Sequence, residues 1–375
     1  MKPWHVLLAV AVLGLSGCQA APAGGPSGGA PASTPAATTG PRVTSPPATT
    51  GAQPASAPPL SEVRVGVLNS GADVPFLLAQ ERGYLREQGI EMTTQVFNGA
   101  GQMIAPLGAD QLDIGGGAPG PGLFNAIQRG VNVRIVADRV RMVPGSRFNC
   151  LMVRKALLDS GEVQSFADFR GRTFAENVPA VATTYAFERA LQGAGLSLQD
   201  VNVTVLAFPD MLAAYANGAI DVAFVVEPFV TLAEERGVAQ CWRPTGDLVP
   251  DFQLAVVLYG PSFAEQRPEL ARRFMVAYLR AARDYVRAFF GDGEGRDAIL
   301  QLMAELTGSR DTALLARQAA LWLNPDGAVN KASLVDMQRW YRERGDLAAE
   351  ADLDRAVDMS YVDYALSQLG PYRQP

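Results

Sequence analysis

The apolar positions of this chain switch between two spacings from Val63 onward. Residues 63–68 read Val-Arg-Val-Gly-Val-Leu, a buried strand. Residues 75–88 carry Leu77, Leu78 and Leu85 at helical spacing and stop at Gly89. The alternation continues with a strand over 90–97, a short helix over 101–107, a strand over 112–115, a helix over 119–128 and a strand over 133–137. A second block repeats the order: strand 173–175, helix 183–192, strand 201–206, helix 211–216, strand 220–226, and a further helix opened by Pro228. Alternation of this kind predicts an α/β protein whose mostly parallel sheets carry helices on both faces.

The two blocks share a corner. It reads Asp110-Gln-Leu112-Asp113-Ile114-Gly115 in the first and Gly218-Ala-Ile220-Asp221-Val222-Ala223 in the second. Asp110 and Gly218 can take the left-handed conformation that ends a helix, and the apolar-Asp-apolar triplet starts the next strand. A repeated corner predicts two similar lobes. The tail is helical. A long helix over 269–290 puts Leu270, Phe274, Ala277, Tyr278 and Ala281 on one face, and shorter helices are predicted over 298–306, 313–323, 334–342 and 357–369. Asn324-Pro325-Asp326-Gly327 is a turn. The tail is expected to pack back on the first lobe, so the chain crosses between lobes twice, near 139–147 and 248–253.

The chain starts differently. Lys2 precedes an apolar run over 6–15, too short to span a bilayer, and then Leu15-Ser16-Gly17-Cys18. This tetrapeptide resembles the lipobox of bacterial lipoproteins, which implies cleavage after residue 17 and lipidation of Cys18. Residues 18–61 are built mainly from Ala, Pro, Gly, Ser and Thr with Arg42 as their only basic residue, a composition that reads as a tether. Export permits a disulfide between the remaining Cys150 and Cys241; two buried thiols are the alternative.

Composition then removes chemistry. The one histidine is His5, inside the predicted leader, so the mature chain has no imidazole for a catalytic triad or a zinc site. Lys155 and Lys331 are its only lysines. A net charge of -6 argues against nucleic-acid binding. The carboxylates lack metal-loop spacing, so neither metal nor cofactor is expected.

Several stretches resemble the solute-binding proteins of bacterial ABC importers, in the group that binds nitrate, taurine, aliphatic sulfonates and thiamine-pyrimidine precursors. They are Ala79-Gln80-Glu81-Arg82-Gly83-Tyr84-Leu85, the corner around Leu112-Asp113-Ile114-Gly115, Val133-Arg134-Ile135-Val136-Ala137, Asp168-Phe169-Arg170-Gly171, Asn217-Gly218-Ala219-Ile220-Asp221 and Glu227-Pro228-Phe229. Asp110 stands where that family usually has glycine. The resemblance implies a two-lobed, hinged periplasmic-binding fold of type II. Its first lobe comprises 62–142 and 251–375, its second 143–250. It also implies a lipid-anchored, extracytoplasmic monomer that captures a small organic anion in the cleft and hands it to a permease with its ATPase. Enzymes of pyrimidine-precursor or menaquinone-pathway type share that family's fold, and a receptor that serves a sensor is a further alternative. The fungal pyrimidine enzymes require a lysine and histidines at their site; the mature chain offers Lys155 and Lys331 and no histidine, which weighs against that role.

In open parallel sheets ligands sit beyond the carboxyl ends of strands. The loops there nominate Asn69, Gln102, Gly116, Gly117, Ala118 and Pro119 in the first lobe, with Arg139 or Arg141 as a fork for a carboxylate or sulfonate. In the second lobe they nominate Thr183, Thr184, Asp210, Glu227 and Phe229. Each has a plainer alternative: a tight turn for the glycines, helix capping for Thr183, Thr184, Asp210 and Glu227, and core packing for Phe229, as for Phe76 and Trp242.

Overall fold

The computed structural model describes residues 60–97, 99–179, 182–307 and 311–373. Cys18 and the predicted leader and tether up to residue 59 lie outside the described residues.

In the first block the strands are β1 (Ser61–Val67), β2 (Ile90–Val96), β3 (Ile114–Gly117) and β4 (Arg134–Met142); the labelled helices are α1 (Val74–Glu81) and α2 (Pro121–Gln128). The second block holds β5 (Asn149–Arg154), β6 (Thr173–Glu176), α3 (Ala182–Gln192), β7 (Asn202–Val205), α4 (Phe208–Asn217), β8 (Val222–Val226), α5 (Phe229–Glu235) and β9 (Ala239–Pro244). The chain then returns through β10 (Phe252–Tyr259) to α6 (Pro268–Phe290), α7 (Arg296–Thr307), α8 (Thr312–Arg317), α9 (Lys331–Glu343) and α10 (Ser360–Leu369).

Two five-stranded sheets result, in the orders β2-β1-β3-β10-β4 and β7-β6-β8-β5-β9. They form the cores of two lobes. β1 sits between β2 and β3, both parallel to it, and buries Val63, Val65 and Val67. Its valines recur with the strand's period of two, which is why β1 was legible. Each sheet contains one antiparallel strand, β10 in the first and β5 in the second. Both are the first strand after a crossing between sheets. The alternation rule does not reach them, because no helix lies between β4 and β5 and only the four-residue helix Thr245–Leu248 lies between β9 and β10.

The repeated corner is the same object twice. Asp113 N–H donates to Arg64 O (3.0 Å) while its carboxylate accepts Arg64 N–H (2.8 Å). Asp221 N–H donates to Thr173 O (3.0 Å) while its carboxylate accepts Thr173 N–H (3.0 Å). Three residues earlier, Asp110 and Gly218 have φ of 56° and 76°. The aspartate thus staples the start of each lobe's central parallel strand to its neighbour.

The core follows the period of two. Leu151 and Val153 of β5 face a core continuous with the first lobe. Cys150 and Met152 face a smaller cluster with Met211, Leu212 and Tyr215 of α4. Cys150 is disulfide-bonded to Cys241, joining β5 to β9 across 91 positions of sequence.

Helix α6 buries Leu270, Phe274, Ala277, Tyr278 and Ala281 against the first lobe. The helix predicted over 313–323 stops at Arg317. Beyond it the chain takes tertiary partners instead of its own turns: Ala319 N–H donates to Glu227 (3.0 Å), and Trp322 O accepts Arg141 N–H (2.8 Å). The helix expected over 75–88 breaks at Gly83, which has φ 75°. The tail also reaches the second lobe, where α9 meets α3.

Candidate functional site

The chain passes between sheets at 143–148 and again at 245–251, and the two crossings touch. A Cβ at Gly246 would collide with Val143 O, and Gly145 N–H donates to Asp247 (2.7 Å). Beneath them lies a buried polar network. Asp138 accepts from Gln253 Nε2 and Asn324 N–H, Gln253 Oε1 accepts Asn330 N–H (2.8 Å), and Gln253 N–H donates to Ser333 Oγ (3.0 Å). Burial pushes the Asp138 carboxyl up to about 6, against the pull of Arg141 and of those hydrogen bonds.

Beyond the carboxyl ends of β1, β2, β3 and β6 lies a cavity of about 270 Å³. The first lobe contributes Leu68 after β1, Gly99 to Gly101 after β2, and Ala118 and Gly120 to Leu123 around the start of α2. The second contributes Asn177, Val178 and Pro179 after β6. Loops from both lobes therefore line one space, as the position of a ligand in open α/β sheets requires.

Of the nominated residues, Ala118 lines this cavity. Gly116 and Gly117 lie inside β3, not in a loop, and close packing explains them. A Cβ at Gly116 would stand 2.7 Å from Arg139 Nη1 and 2.8 Å from Val256 O; at Gly117, with φ 144°, it would stand 2.7 Å from Ala100 Cβ. Pro119 is buried, and its carbonyl accepts from Tyr341 Oη (3.4 Å). Asn69 is an exposed turn residue with φ 50°, and Gln102 is exposed beside the lining Gly101.

Arg139 is a correction. It is fully buried, paired with Asp73, donates Nε–H to Ala72 O (3.1 Å) and lies 5.3 Å from the Phe76 ring centroid. Asp73 in turn accepts the N–H groups of Leu68 (3.0 Å) and Ser70 (2.8 Å). The pair fixes the loop after β1 and presents no fork to the cavity. Arg141 donates to Ala328 O.

The second-lobe residues are likewise engaged elsewhere. Thr184 is buried and donates its hydroxyl to Glu176, and Thr183 beside it is half-buried without lining the cavity. Asp210 is exposed in the first turn of α4, whose N-cap is Ala207, so its charge favours the helix dipole instead of capping at Met211. Glu227 accepts Thr231 N–H (3.1 Å), Thr231 Oγ1 (2.9 Å) and Ala319 N–H, and burial raises its pKa. The Phe229 ring stacks on Phe208 at 5.8 Å. Phe76 packs on Phe274 and Tyr278, and Trp242 on Phe166 and Phe169. Sequence reasoning did not nominate Leu68, Ile104, Leu123 and Leu258, which also line the cavity. These aliphatics look like core until the fold shows a space beside them.

The model of the NMT1/THI5-like family matches residues 72–288, more than half of the chain. The taurine-binding periplasmic protein of Escherichia coli (strain K12) is 25% identical over 321 residues, 80% of this chain and 93% of that protein. Solved structures share the fold. The periplasmic aliphatic sulphonate binding protein SsuA from Escherichia coli superposes with a TM-score of 0.64 at 19% identity, over 80% of this chain and 92% of that one. The desulfurization enzyme DSZB superposes with a TM-score of 0.58 at 16% identity, over 82% and 99%.

Proposed function

The chain belongs to the NMT1/THI5-like family, and from that premise we propose that it is the extracytoplasmic solute-binding component of an ABC importer. It captures a small organic solute between its lobes, a sulfonate, a carboxylate or a pyrimidine precursor, and delivers it to a permease served by an ATPase. The observation that carries this reading is the cavity lined from both lobes, by Ala118 and Gly120 to Leu123 on one side and Asn177 to Pro179 on the other. Closing the lobes on a ligand changes the surface that a membrane partner meets. The taurine-binding relative, alike over most of both chains, supports the same role. The apolar run over 6–15 and Leu15-Ser16-Gly17-Cys18 support a lipid anchor at Cys18, with residues 18–61 as the tether of a monomeric receptor.

The fold of DSZB favours a second reading, an enzyme on the same scaffold. Against it stands the cavity itself: no described lining residue ionises, so the lining supplies no general acid or base.

Thermal unfolding of the full chain with a solute panel tests the receptor role. A ligand at a thousand times its dissociation constant stabilises by about 4 kcal/mol. A saturable shift without turnover supports capture, and turnover of the bound solute overturns it. Cys18→Ala tests the anchor: the variant leaves the membrane fraction, and retention there refutes lipidation at Cys18.

A further inference from the structure

The chemical class of the solute follows from what surrounds the cavity, given the receptor reading above. Leu68, Ile104, Leu123, Leu258, Val178 and Pro179 supply apolar surface, and glycine, alanine and Pro121 supply most of the rest. Asn177 is the one polar side chain among the described lining residues. Of the residues next to them in sequence, Asn98 and Ala180 are uncharged, and Glu176, beside Asn177, is a buried acid that accepts the Thr184 hydroxyl. None of the described lining residues is an arginine or lysine, and Arg139 and Arg141, the forks nominated from sequence, pair with Asp73 and donate to Ala328 O, respectively. An anion desolvated here would find no cation among the described lining residues, and that is costly.

Size points the same way. A dry cavity of about 150 Å³ encloses benzene, and this one is about 270 Å³. Val178, 44% exposed at the second-lobe side, is a large apolar residue that a bound apolar solute would cover.

We propose that the cavity takes a solute with an apolar body, about the size of two fused aromatic rings or a medium-length alkyl chain, carrying no more than one compact polar head. The body supplies the affinity. The head meets the Asn177 amide and contributes little through its charge. Small, fully hydrated solutes such as taurine and nitrate leave most of the space unfilled and lose water without recompense.

Titration calorimetry of the full chain tests this with alkanesulfonates from ethane- to octanesulfonate, 2-naphthalenesulfonate, 1-octanol, taurine and nitrate. The expected result is saturable one-to-one binding that tightens about threefold to fourfold per methylene. Octanol should bind within about tenfold of octanesulfonate, and taurine and nitrate should not bind at millimolar concentration. Val178→Asp, on an exposed position that tolerates charge, is expected to weaken octanesulfonate about tenfold or more with the melting temperature unchanged. Taurine or nitrate binding more tightly than octanesulfonate overturns the inference and leaves the receptor reading standing. A flat response to the whole apolar series also overturns it. Native mass spectrometry then decides the receptor reading separately: a co-purified hydrophilic solute keeps it, and an empty chain removes it.

Discussion

Trp340 and Tyr341 are neighbours on α9, and each holds a different lobe. Trp340 Nε1 donates to Glu188 of α3, in the second lobe. Tyr341 Oη donates to Pro119 O just before α2, in the first lobe, and its ring lies 6.0 Å from Phe124. One turn earlier Asp336 accepts from Tyr185 Oη and from Arg189 (2.8 Å), both on α3. The tail helix is thus a strap between the two helices that follow the cavity loops. We expect its geometry to set the separation of the lobes and hence the width of the cavity.

Asp336→Ala removes the acceptor for Tyr185 and Arg189 at once. Tyr185 is almost fully buried, so its hydroxyl is left desolvated, at a cost of about 1–3 kcal/mol. We expect a lower melting temperature, a larger radius of gyration of the unliganded chain by small-angle scattering, and unchanged helix content by circular dichroism. An unchanged radius would show that the strap does not hold the lobes.

Arg139, nominated from sequence as a ligand fork, has a structural role that a substitution can distinguish from ligand binding. A ligand-gripping arginine replaced by methionine weakens binding and spares the fold. In the structure Arg139 neutralises Asp73 in a fully buried pair, so Arg139→Met strands a carboxylate. The expected loss is about 3–5 kcal/mol of stability. The double variant Asp73→Asn/Arg139→Met should recover much of it, because the uncharged amide still offers a carbonyl to the N–H groups of Leu68 and Ser70. Urea denaturation of the three variants and the parent checks the cycle.

What could be read from the sequence was what obeys local rules. Val63, Val65 and Val67 announce a strand by their spacing, and Asp113 and Asp221 mark a repeated corner that the structure renders as the same pair of hydrogen bonds. β5, β9 and β10 escaped because their partners lie far off in sequence and the helices beside β5 and β10, Lys155–Asp159, Thr245–Leu248 and Pro261–Gln266, are too short to show a helical period. Little of the cavity lining was legible: of the nominated residues Ala118 lines it. Arg139, Thr184 and Glu227 turn inward to Asp73, Glu176, Thr231 and Ala319, partners that only the tertiary fold supplies.

The crossings predict a sensitive glycine. No side chain fits at Gly246, where a Cβ would run into the Val143 carbonyl of the other crossing. Backbone cannot yield as a flexible side chain does, so Gly246→Ala pushes the two hinge segments apart. We expect a loss of about 1–3 kcal/mol and altered ligand affinity, whereas Gly130→Ala, with nothing within 4 Å, changes stability through its φ of 86° alone and leaves affinity intact. Paired melting curves and titrations distinguish hinge from general destabilisation.

The hinge network also predicts how stability depends on pH. Asp138 titrates at about 6 in the fold against an ordinary 3.8, because burial opposes its charge. The folded state therefore binds a proton that the unfolded state has released between those values. Stability from this group is complete below pH 3.8 and is lost as pH rises through 6, a change on the order of 3 kcal/mol. Burial raises Glu227 in the same direction. Half-buried Asp168 and Asp200 run oppositely: hydrogen bonds from Gln164 and Ser165, and from Ser197, hold their carboxyls below the usual range, so their contribution is lost only as pH falls below that range. The urea midpoint should consequently rise as pH drops from 7 to about 4.5 and fall again in stronger acid. Asp138→Asn keeps the shape and abolishes the ionisation, so its midpoint should vary much less over that interval. An undiminished slope in the variant would assign the effect to other groups and remove Asp138 from the account.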